Sequence, residues 1–285
     1  GDKMIIWLAS YPKSGNTWVR SIISSILFSK NGKVKNFDIL KNIDQYPTQK
    51  YFRNFVNDYN DALQIQQSWI PSQELINKDK KIRFFKTHHL FCKYGKNSFT
   101  DNTNTLGVIH IVRDPRNLVS SIKNHWSLAN DNEAVDKLFD IQNATSLKID
   151  NNNEYSFPVM ISSWKNHYNA WNKFKKNYLL IKYEDLIENP ESQLLTIINY
   201  LKKFFKFQIN DDKIKNILET TSFSNFKDLE NKGFFQEANV DKTGKIKKFF
   251  NEGPNKKWQN SLEKSLSNKI EENFLIEMKK LGYLE

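Results

Sequence analysis

The stretch that most constrains the fold of this chain is the string YPKSGNTW, which occupies residues 11–18. It follows a short apolar run at residues 4–9 and precedes a stretch in which apolar residues recur at helical spacing. The order is therefore strand, tight loop and helix start. A helix start carries unpaired backbone N–H groups and the positive end of the helix dipole, so this corner suits a phosphate or sulfate group.

The residues of this loop have the chemistry that anion binding requires. Gly15 lets the backbone approach an anion closely. Ser14 and Thr17 offer hydroxyl groups, and Lys13 offers a point charge. The loop is not a Walker A motif, because that pattern needs a glycine, four residues and then Gly-Lys-Ser/Thr. Here the lysine lies two residues before Gly15, and no earlier glycine opens the loop.

The string instead resembles the 5′-phosphosulfate loop of the cytosolic and bacterial sulfotransferases, whose donor is 3′-phosphoadenosine 5′-phosphosulfate (PAPS). The family form is Tyr-Pro-Lys-Ser-Gly-Thr-Thr-Trp, and this chain differs from it only at Asn16. The resemblance implies that the donor is held by Ser14, Gly15, Asn16, Thr17 and Trp18, the last by stacking on the adenine. It also implies that Lys13 stabilises charge on the departing bridging oxygen.

A second strand–turn–helix corner follows about a hundred residues later, in the sequence IHIVRDPRNLVSS at residues 109–121. Pro115 suits the first turn of a helix, and Asp114 is a candidate cap for it. The stretch resembles the 3′-phosphate motif of the same family, an arginine followed by seven residues and a serine. The resemblance implies that Arg113 and Ser121 contact the 3′-phosphate of the donor.

The sequence FFKTHH at residues 84–89 ends another strand candidate. In the family a strand ends in Lys-Thr-His, and that histidine is the general base. Neutral imidazole suits the role, because the acceptor hydroxyl must lose its proton near neutral pH. The resemblance implies that His88 is the base and that Lys86 assists Lys13. His89 is left open as a decoy or a second contact, and His110 is interpreted as structural.

Two later stretches, Tyr-Glu-Asp-Leu at residues 183–186 and Thr-Ser-Phe at residues 221–223, resemble further nucleotide contacts of the family. They imply that Tyr183 reaches the adenine, that Thr221 contacts the nucleotide and that Phe223 packs on the base. The family also has a loop of basic residues before a glycine, for which the match here is Lys242-Thr243-Gly244. This match departs from the pattern, because a bidentate arginine is missing. We expect Lys242, Thr243 and Gly244 to contact the donor.

Short apolar runs predict strands at residues 4–9, 82–86, 108–112 and 179–183, with helical patterns between them. Helices are predicted after Trp18 and over residues 117–126, 161–174, 194–201, 214–218 and 262–281. This alternation predicts an α/β fold with a central parallel sheet flanked by helices, in three P-loop-like layers. Residues 129–157 and 231–257 are predicted to be loops or lids. A single sulfotransferase domain over residues 1–285 is expected.

The composition limits the kinds of partner that this chain is expected to bind. Lys and Arg number 43 against 32 Asp and Glu, and the net charge of +11 favours anionic partners. The lysines are scattered, which disfavours nucleic acid. Cys92 is the single cysteine, so no intrachain disulfide is possible. No membrane-length apolar run, signal-peptide layout or metal-ligand cluster occurs in the sequence, so a cytoplasmic enzyme without a metal is expected.

The acceptor is the part that the sequence leaves open. We expect it to bind the segments at residues 30–80 and 127–158. The first segment carries aromatic residues that suit stacking on an acceptor or a place in the core, namely Tyr46, Tyr51, Phe52, Phe55, Tyr59 and Trp69. A carbohydrate or another small hydroxylated molecule is favoured, an amine is left open, and the oligomeric state is not readable.

Two other functions are weighed against sulfonyl transfer. A P-loop kinase or NTPase is disfavoured by the position of Lys13 and the missing first glycine. A non-catalytic nucleotide- or RNA-binding protein would leave His88 and the loop chemistry unexplained.

Overall fold

The computed structural model describes residues 3–148, 156–234, 243–245, 247–250 and 257–285. The strands are β1 (Ile5–Ser10), β2 (Asp44–Gln45), β3 (Arg83–Thr87), β4 (Lys93–Tyr94), β5 (Asn97–Ser98), β6 (Thr105–Val112), β7 (Ala144–Lys148), β8 (Ser156–Met160) and β9 (Tyr178–Lys182). The helices are α1 (Asn16–Phe28), α2 (Ala62–Asn77), α3 (Pro115–His125), α4 (Asp131–Phe139), α5 (Trp164–Trp171), α6 (Tyr183–Glu188), α7 (Pro190–Leu201), α8 (Asp211–Thr220), α9 (Phe223–Asn231), α10 (Lys264–Asn273) and α11 (Leu275–Lys280). Short 3₁₀ helices cover Phe37–Asn42, Gln49–Tyr51 and Trp258–Asn260.

The chain divides into two compact units, each built from three segments. Unit 1 comprises residues 1–11, 44–111 and 137–180. Unit 2 comprises residues 12–43, 112–136 and 181–285. The expectation of a single domain over residues 1–285 stays a prediction.

The main sheet has five strands in the order β2-β3-β1-β6-β9. Strand β1 pairs in parallel with β3, where Ala9 lies opposite Thr87, and with β6, where Ser10 lies opposite Ile111. Every residue of β1 is buried, as expected for the central strand of a parallel sheet. The predicted α/β fold with a central parallel sheet flanked by helices is confirmed.

Aromatic packing fills the core of unit 1. Trp7 of β1 lies against the rings of Tyr46, Phe85, Phe99 and Trp171 at centroid distances of 5.3–6.3 Å. Helices α2 and α5 contribute to the same core through Ile65, Trp69, Ile76 and Trp171. Tyr46, Phe52 and Trp69, three of the rings considered for acceptor stacking, are fully buried there. Tyr51, Phe55 and Tyr59 are only partly buried at its margin.

Unit 2 has its own core. Helix α1 packs against the 3₁₀ helix Phe37–Asn42 and against α7 and α8, and α10 packs against α3. Val34, Phe37, Leu40, Phe226, Leu229 and Phe250 form a second buried cluster. Among the residues that the structure describes, no helix is both long and apolar enough to span a membrane.

The four predicted strands are confirmed as β1, β3, β6 and β9, with ends shifted by up to three residues. The prediction of a loop over residues 129–157 is wrong. Helix α4 buries Ala134, Val135 and Leu138, and β7 pairs with β8 as an antiparallel hairpin. The many polar residues of this stretch hid its short apolar pattern.

The helix predictions also need correction. The pattern over residues 262–281 forms two helices, because buried Phe274 adopts a non-helical conformation between α10 and α11. Helix α2 was not predicted, although the side chain of Asp61 caps it by accepting from the N–H groups of Leu63 and Gln64. The segments 235–242, 246 and 251–256 of the second predicted loop, with Lys242, lie outside the described residues.

Candidate active site

The loop after β1 leads directly into α1 in unit 2. Lys13 has a φ of 67°, and Gly15 caps the helix with a φ of 107°. Gly15 adopts this left-handed conformation without steric cost, whereas at Lys13 it is unfavourable. The helix then begins at Asn16, and its first intrahelical bond runs from the N–H of Val19 to the carbonyl of Gly15. The loop therefore leads directly into the N-terminal end of α1, which carries the positive end of the helix dipole.

Ser14 lies inside this loop with its side chain fully buried. Its Oγ has no hydrogen-bond partner among the described residues. A buried polar group without a partner costs free energy that a bound oxyanion recovers when it supplies the missing bond. The loop therefore fits a phosphate or sulfate group by local structure as well as by sequence.

Arg113 joins the two predicted phosphate motifs. Its Nη1 donates to the carbonyl oxygen of Lys13 at 2.9 Å and to the Oγ of Ser121 at 3.2 Å. Its guanidinium group lies 4.1 Å from the ring centroid of Tyr183. Lys13, Ser121 and Tyr183 thus meet around the Arg113 guanidinium group, although they are up to 170 positions apart in the sequence.

The strand–helix turn after Arg113 is held rigidly. The Asp114 carboxylate caps α3 and accepts from the Arg116 guanidinium, as the sequence predicted for the cap. Arg116 also donates to Glu271 at 2.7 Å and to the carbonyl of Tyr283 at 2.9 Å. Glu184 accepts from the backbone N–H of Asp114 and from the Tyr283 hydroxyl, both at 2.9 Å. These contacts fix the backbone next to Arg113.

Burial governs the protonation of Glu184, one of the residues that hold this turn. It raises the pKa of Glu184, although hydrogen bonds to its carboxylate act in the opposite direction. Neither Glu184 nor Arg116 was predicted from the sequence to have a role. The signal available was a charged residue close to each strand end, Glu184 directly after Tyr183 and Arg116 two positions after Asp114.

A cavity of about 410 Å³ opens beside α1 in unit 2. Its volume lies within the range of about 300–1,000 Å³ that is usual for small-molecule sites. It is lined by Trp18, Ile22, Leu186, Ile187, Pro190, Leu194, Ile217, Leu218, Thr221, Ser222, Phe223 and Ser224. Three predicted nucleotide contacts, Trp18, Thr221 and Phe223, therefore share one mostly apolar cavity. Tyr183 packs edge-on against Trp18, with ring centroids 5.8 Å apart.

The last predicted donor contacts are Lys242, Thr243 and Gly244. Thr243 and Gly244 are exposed, and Lys242 lies outside the described residues. Phe249, which carried no motif, contacts the Lys13 ammonium instead. Nothing in the sequence signalled this contact except an aromatic pair within a lysine-rich stretch.

His88 follows β3 in unit 1 and is partly buried. Its Nδ1 donates to the carbonyl oxygen of Ser10 at 2.8 Å, and the Ser10 hydroxyl lies 3.2 Å from the same nitrogen. A carbonyl can only accept, so this bond assigns the proton of a neutral ring to Nδ1 and the lone pair to Nε2. The ring is thereby arranged to accept a proton.

Its neighbour His89 has a structural environment. The ring is buried and stacks on Phe99 at a centroid distance of 4.2 Å and an interplanar angle of 2°. Burial lowers the pKa of His89 to about 4, although a hydrogen bond to the Leu90 carbonyl acts in the opposite direction. His110 is also buried and bonds the Tyr178 hydroxyl at 2.7 Å. Lys86 is buried at the end of β3.

No group of three or more His, Cys, Asp or Glu side chains at metal-binding distance occurs in the described part of the chain.

Comparison with known proteins shows which family model and which relatives match this chain. The family model described as "Sulfotransferase domain" matches residues 3–282. Sulfotransferase 1B1 from Canis lupus familiaris is 27% identical over 232 residues, which cover 78% of this chain and 66%, or just under two thirds, of that protein.

Two solved structures share the fold. Mouse sulfotransferase SULT7A1, complexed with PAP, superposes with a TM-score of 0.55 at 19% identity, covering 97% of this chain and 84% of the other. Retinol dehydratase, in a complex with retinol and PAP, superposes with a TM-score of 0.60 at 16% identity, covering 96% and 81%.

Proposed function

The chain belongs to the sulfotransferase family, and we propose that it transfers the sulfonyl group of PAPS to a hydroxyl group of a small molecule. The donor occupies unit 2 in this proposal. Ser14, Gly15, Asn16 and Thr17 bind the 5′-phosphosulfate, Arg113 and Ser121 bind the 3′-phosphate, and the cavity lined by Trp18, Thr221 and Phe223 takes the adenine. Tyr183 supports both Trp18 and Arg113.

The contact of Arg113 with both Lys13 and Ser121 is the observation that carries this proposal. A lone strand–turn–helix corner binds many anions. Two such corners joined through one guanidinium group match a ligand with two separate phosphates, and the adjacent apolar cavity matches its base. 3′,5′-Adenosine bisphosphate (PAP), the product that PAPS leaves behind, has this combination.

The chemical roles follow the resemblance noted in the sequence. His88 accepts the proton of the acceptor hydroxyl through Nε2 as that oxygen attacks the sulfur. The bond between sulfur and the bridging oxygen breaks, and its electron pair stays on the 5′-phosphate of PAP. Lys13, assisted by Lys86, stabilises the negative charge that develops on that oxygen.

We propose a small hydroxylated acceptor, with a carbohydrate or an amine as further members of the same screen. One similar fold was solved with retinol beside PAP, which supports a small molecule. Tyr51, Phe55 and Tyr59 remain candidates for acceptor stacking, since they are only partly buried. We also propose a cytoplasmic location, in keeping with the single cysteine.

Isothermal titration of PAP and of AMP tests the donor site. We expect wild type to bind PAP more tightly than AMP, because AMP lacks the 3′-phosphate. Arg113→Ala and Ser121→Ala should remove most of this difference. Exposed Arg53→Ala and the neighbouring Ser120→Ala are matched controls that should keep it. Equal affinity for the two nucleotides, or none for either, would overturn the proposal.

Turnover separates the enzyme from its alternatives. PAP release from PAPS is measured against a panel of phenols, alcohols, sugars and amines, with ATP hydrolysis assayed in parallel. PAP release that requires His88 and an acceptor supports sulfonyl transfer. Nucleotide binding without turnover on any acceptor favours a binding protein, and ATP hydrolysis favours an NTPase.

A further inference from the structure

We propose that His167 is a positioning residue, which holds the backbone of His88 so that the His88 ring keeps one orientation and one tautomer. The geometric part of this inference stands on unit 1 alone. Its consequence for turnover rests on the proposed function. None of the predicted motifs includes His167.

Helix α5 supports the two consecutive carbonyl groups that follow β3. The Nε2 of His167 donates to the carbonyl oxygen of His88 at 3.0 Å. One helical turn later, the Nε1 of Trp171 donates to the carbonyl oxygen of His89 at 3.0 Å. Residues four apart lie on the same face of a helix, so α5 presents both donors to the same extended segment. Ser163 fixes the start of this helix by accepting from the N–H of Asn166 at 3.1 Å.

The protonation state of His167 makes it a dependable single donor. The ring is only 1% exposed. Burial lowers its pKa to about 4, although the bond to the His88 carbonyl acts in the opposite direction. His167 is therefore neutral near pH 7 and carries one ring proton. Because a carbonyl can only accept, that proton lies on Nε2.

His167 also contacts the residue next to Ser10, whose carbonyl holds the ring of His88. The His88 ring is fixed by the bond from its Nδ1 to the Ser10 carbonyl. Tyr11, the next residue, meets the His167 ring edge-on at a centroid distance of 5.9 Å and an interplanar angle of 85°. Asn143 also contacts Tyr11, by donating to its hydroxyl at 3.4 Å. His167 thus links the support of the His88 backbone to the support of its ring.

The consequence of these contacts concerns the direction of the Nε2 lone pair of His88. With backbone and Nδ1 both fixed, the Nε2 lone pair of His88 points in one direction. Loss of the His167 donor leaves the His88 carbonyl without this bond in a buried environment, and the segment moves to find another donor. A displacement of about 1 Å at a reacting group is enough to cost roughly 100-fold in rate.

Nitrogen NMR of the histidine rings tests the inference without any turnover. The chain has five histidines, so ¹⁵N-histidine labelling gives a spectrum that single substitutions can assign. We expect wild type to show His88 protonated on Nδ1 and His167 on Nε2. In His167→Leu the His88 ring should become a mixture of tautomers. His167→Gln places an amide donor near the former Nε2 and should keep the wild-type signature.

His110→Leu is the matched control, since it removes a buried histidine of unit 1 that bonds Tyr178 rather than His88. It should leave the His88 tautomer unchanged. If His167→Leu fails to fold, His167→Asn serves the same purpose, because its shorter amide does not reach the His88 carbonyl.

Turnover supplies the second measurement. We expect His167→Leu to lower kcat by about 10- to 100-fold, with the KM for PAPS and the Kd for PAP close to wild type. His167→Gln should recover most of kcat. An unchanged His88 tautomer in His167→Leu, or a Gln variant no better than Leu, would overturn the inference. If wild type shows no sulfonyl transfer, the proposed function fails and the NMR result alone decides the positioning role.

Discussion

The Nζ of Lys13 lies 3.2 Å from the ring centroid of Phe249 and 3.2 Å from its carbonyl oxygen. The Phe249 segment is itself anchored within unit 2. The backbone N–H groups of Phe249 and Phe250 both donate to the carboxylate of Glu230. The cation of the proposed phosphosulfate loop therefore contacts both an aromatic ring and a carbonyl oxygen of Phe249.

This contact predicts that Phe249 weakens donor binding. A PAP phosphate that binds the Lys13 ammonium must displace it from the ring. In Phe249→Leu we expect PAP to bind about two- to fivefold more tightly, the equivalent of the ~0.5–1 kcal/mol of an exposed cation–π contact. Titration calorimetry measures the change. Phe249→Tyr keeps the ring and should match wild type, and weaker PAP binding by the Leu variant would contradict the prediction.

Ser14 gives a prediction in which stability and affinity change in opposite directions. Its buried Oγ lacks a partner in the described structure, so Ser14→Ala removes a group that is unfavourable without ligand. We expect the free energy of unfolding of the nucleotide-free protein to stay level or rise by up to about 1 kcal/mol. PAP affinity should fall by about tenfold, because a hydrogen bond to a charged phosphate is lost. Urea unfolding and calorimetry measure the two effects.

Ser25→Ala is the control for Ser14. Ser25 is equally buried on α1, but its Oγ donates to the carbonyl of Ser21 at 2.7 Å. Its removal should not stabilise the protein and should leave PAP affinity unchanged. A Ser14 variant that loses stability as well as affinity would show that the hydroxyl has a structural partner.

Arg113→Lys tests whether the planar guanidinium group is essential. A lysine keeps the positive charge but cannot bond Lys13 and Ser121 and also stack on Tyr183. We expect PAP affinity to fall by about 10- to 100-fold, as for the loss of a hydrogen bond between charged groups, whereas AMP affinity stays near wild type. Parallel titrations of PAP and AMP measure it. An equal loss for both nucleotides would place Arg113 away from the 3′-phosphate.

The sequence was most informative where a chemical requirement and a local pattern coincide. The loop from Lys13 to Trp18 needs a glycine at its left-handed position, and the helix after Arg113 needs a cap and a proline in its first turn. These demands act over a few residues, so they can be read without tertiary structure. The starts of α1 and α3 were predictable for that reason.

Long-range contacts were not readable in the same way. The Phe249 contact with Lys13 joins residues 236 positions apart, and His167 meets His88 across 79 positions. Nothing local distinguishes His167 from another buried histidine on an aromatic helix. Helix α4 and the β7–β8 hairpin were missed because they contain few apolar residues. The many polar residues beside these obscure the periodic pattern.

The two adjacent histidines predict opposite outcomes. We expect His88→Asn to lower kcat by roughly 100- to 10,000-fold, the usual contribution of a general base, with PAP affinity unchanged. His89→Phe should keep turnover close to wild type, since the His89 ring is buried against Phe99. Steady-state kinetics on a responsive acceptor decides between them. A large loss of kcat in His89→Phe with His88→Asn still active would reverse the assignment.

His89 also predicts how stability depends on pH. Its folded pKa of about 4 lies below the ordinary value of 6.5, so between these values the unfolded chain binds a proton that the native protein does not. The free energy of unfolding therefore falls as pH drops from about 6.5 toward 4. His89→Phe keeps a ring against Phe99 and cannot titrate. We expect wild type to lose about 2 kcal/mol more than this variant between pH 7 and pH 5.

Urea unfolding at several pH values measures this difference, and comparing the two proteins isolates His89. His167 titrates in the same direction and Glu184 in the opposite direction, but both are present in wild type and variant, so most of their contribution cancels in the comparison. Between pH 7 and 8 the two proteins should show nearly parallel curves, because a histidine with either pKa is mostly neutral there. Parallel curves down to pH 5 would mean that His89 is protonated in the native protein as readily as in the unfolded chain. The burial of its ring against Phe99 and Trp69 argues against that outcome.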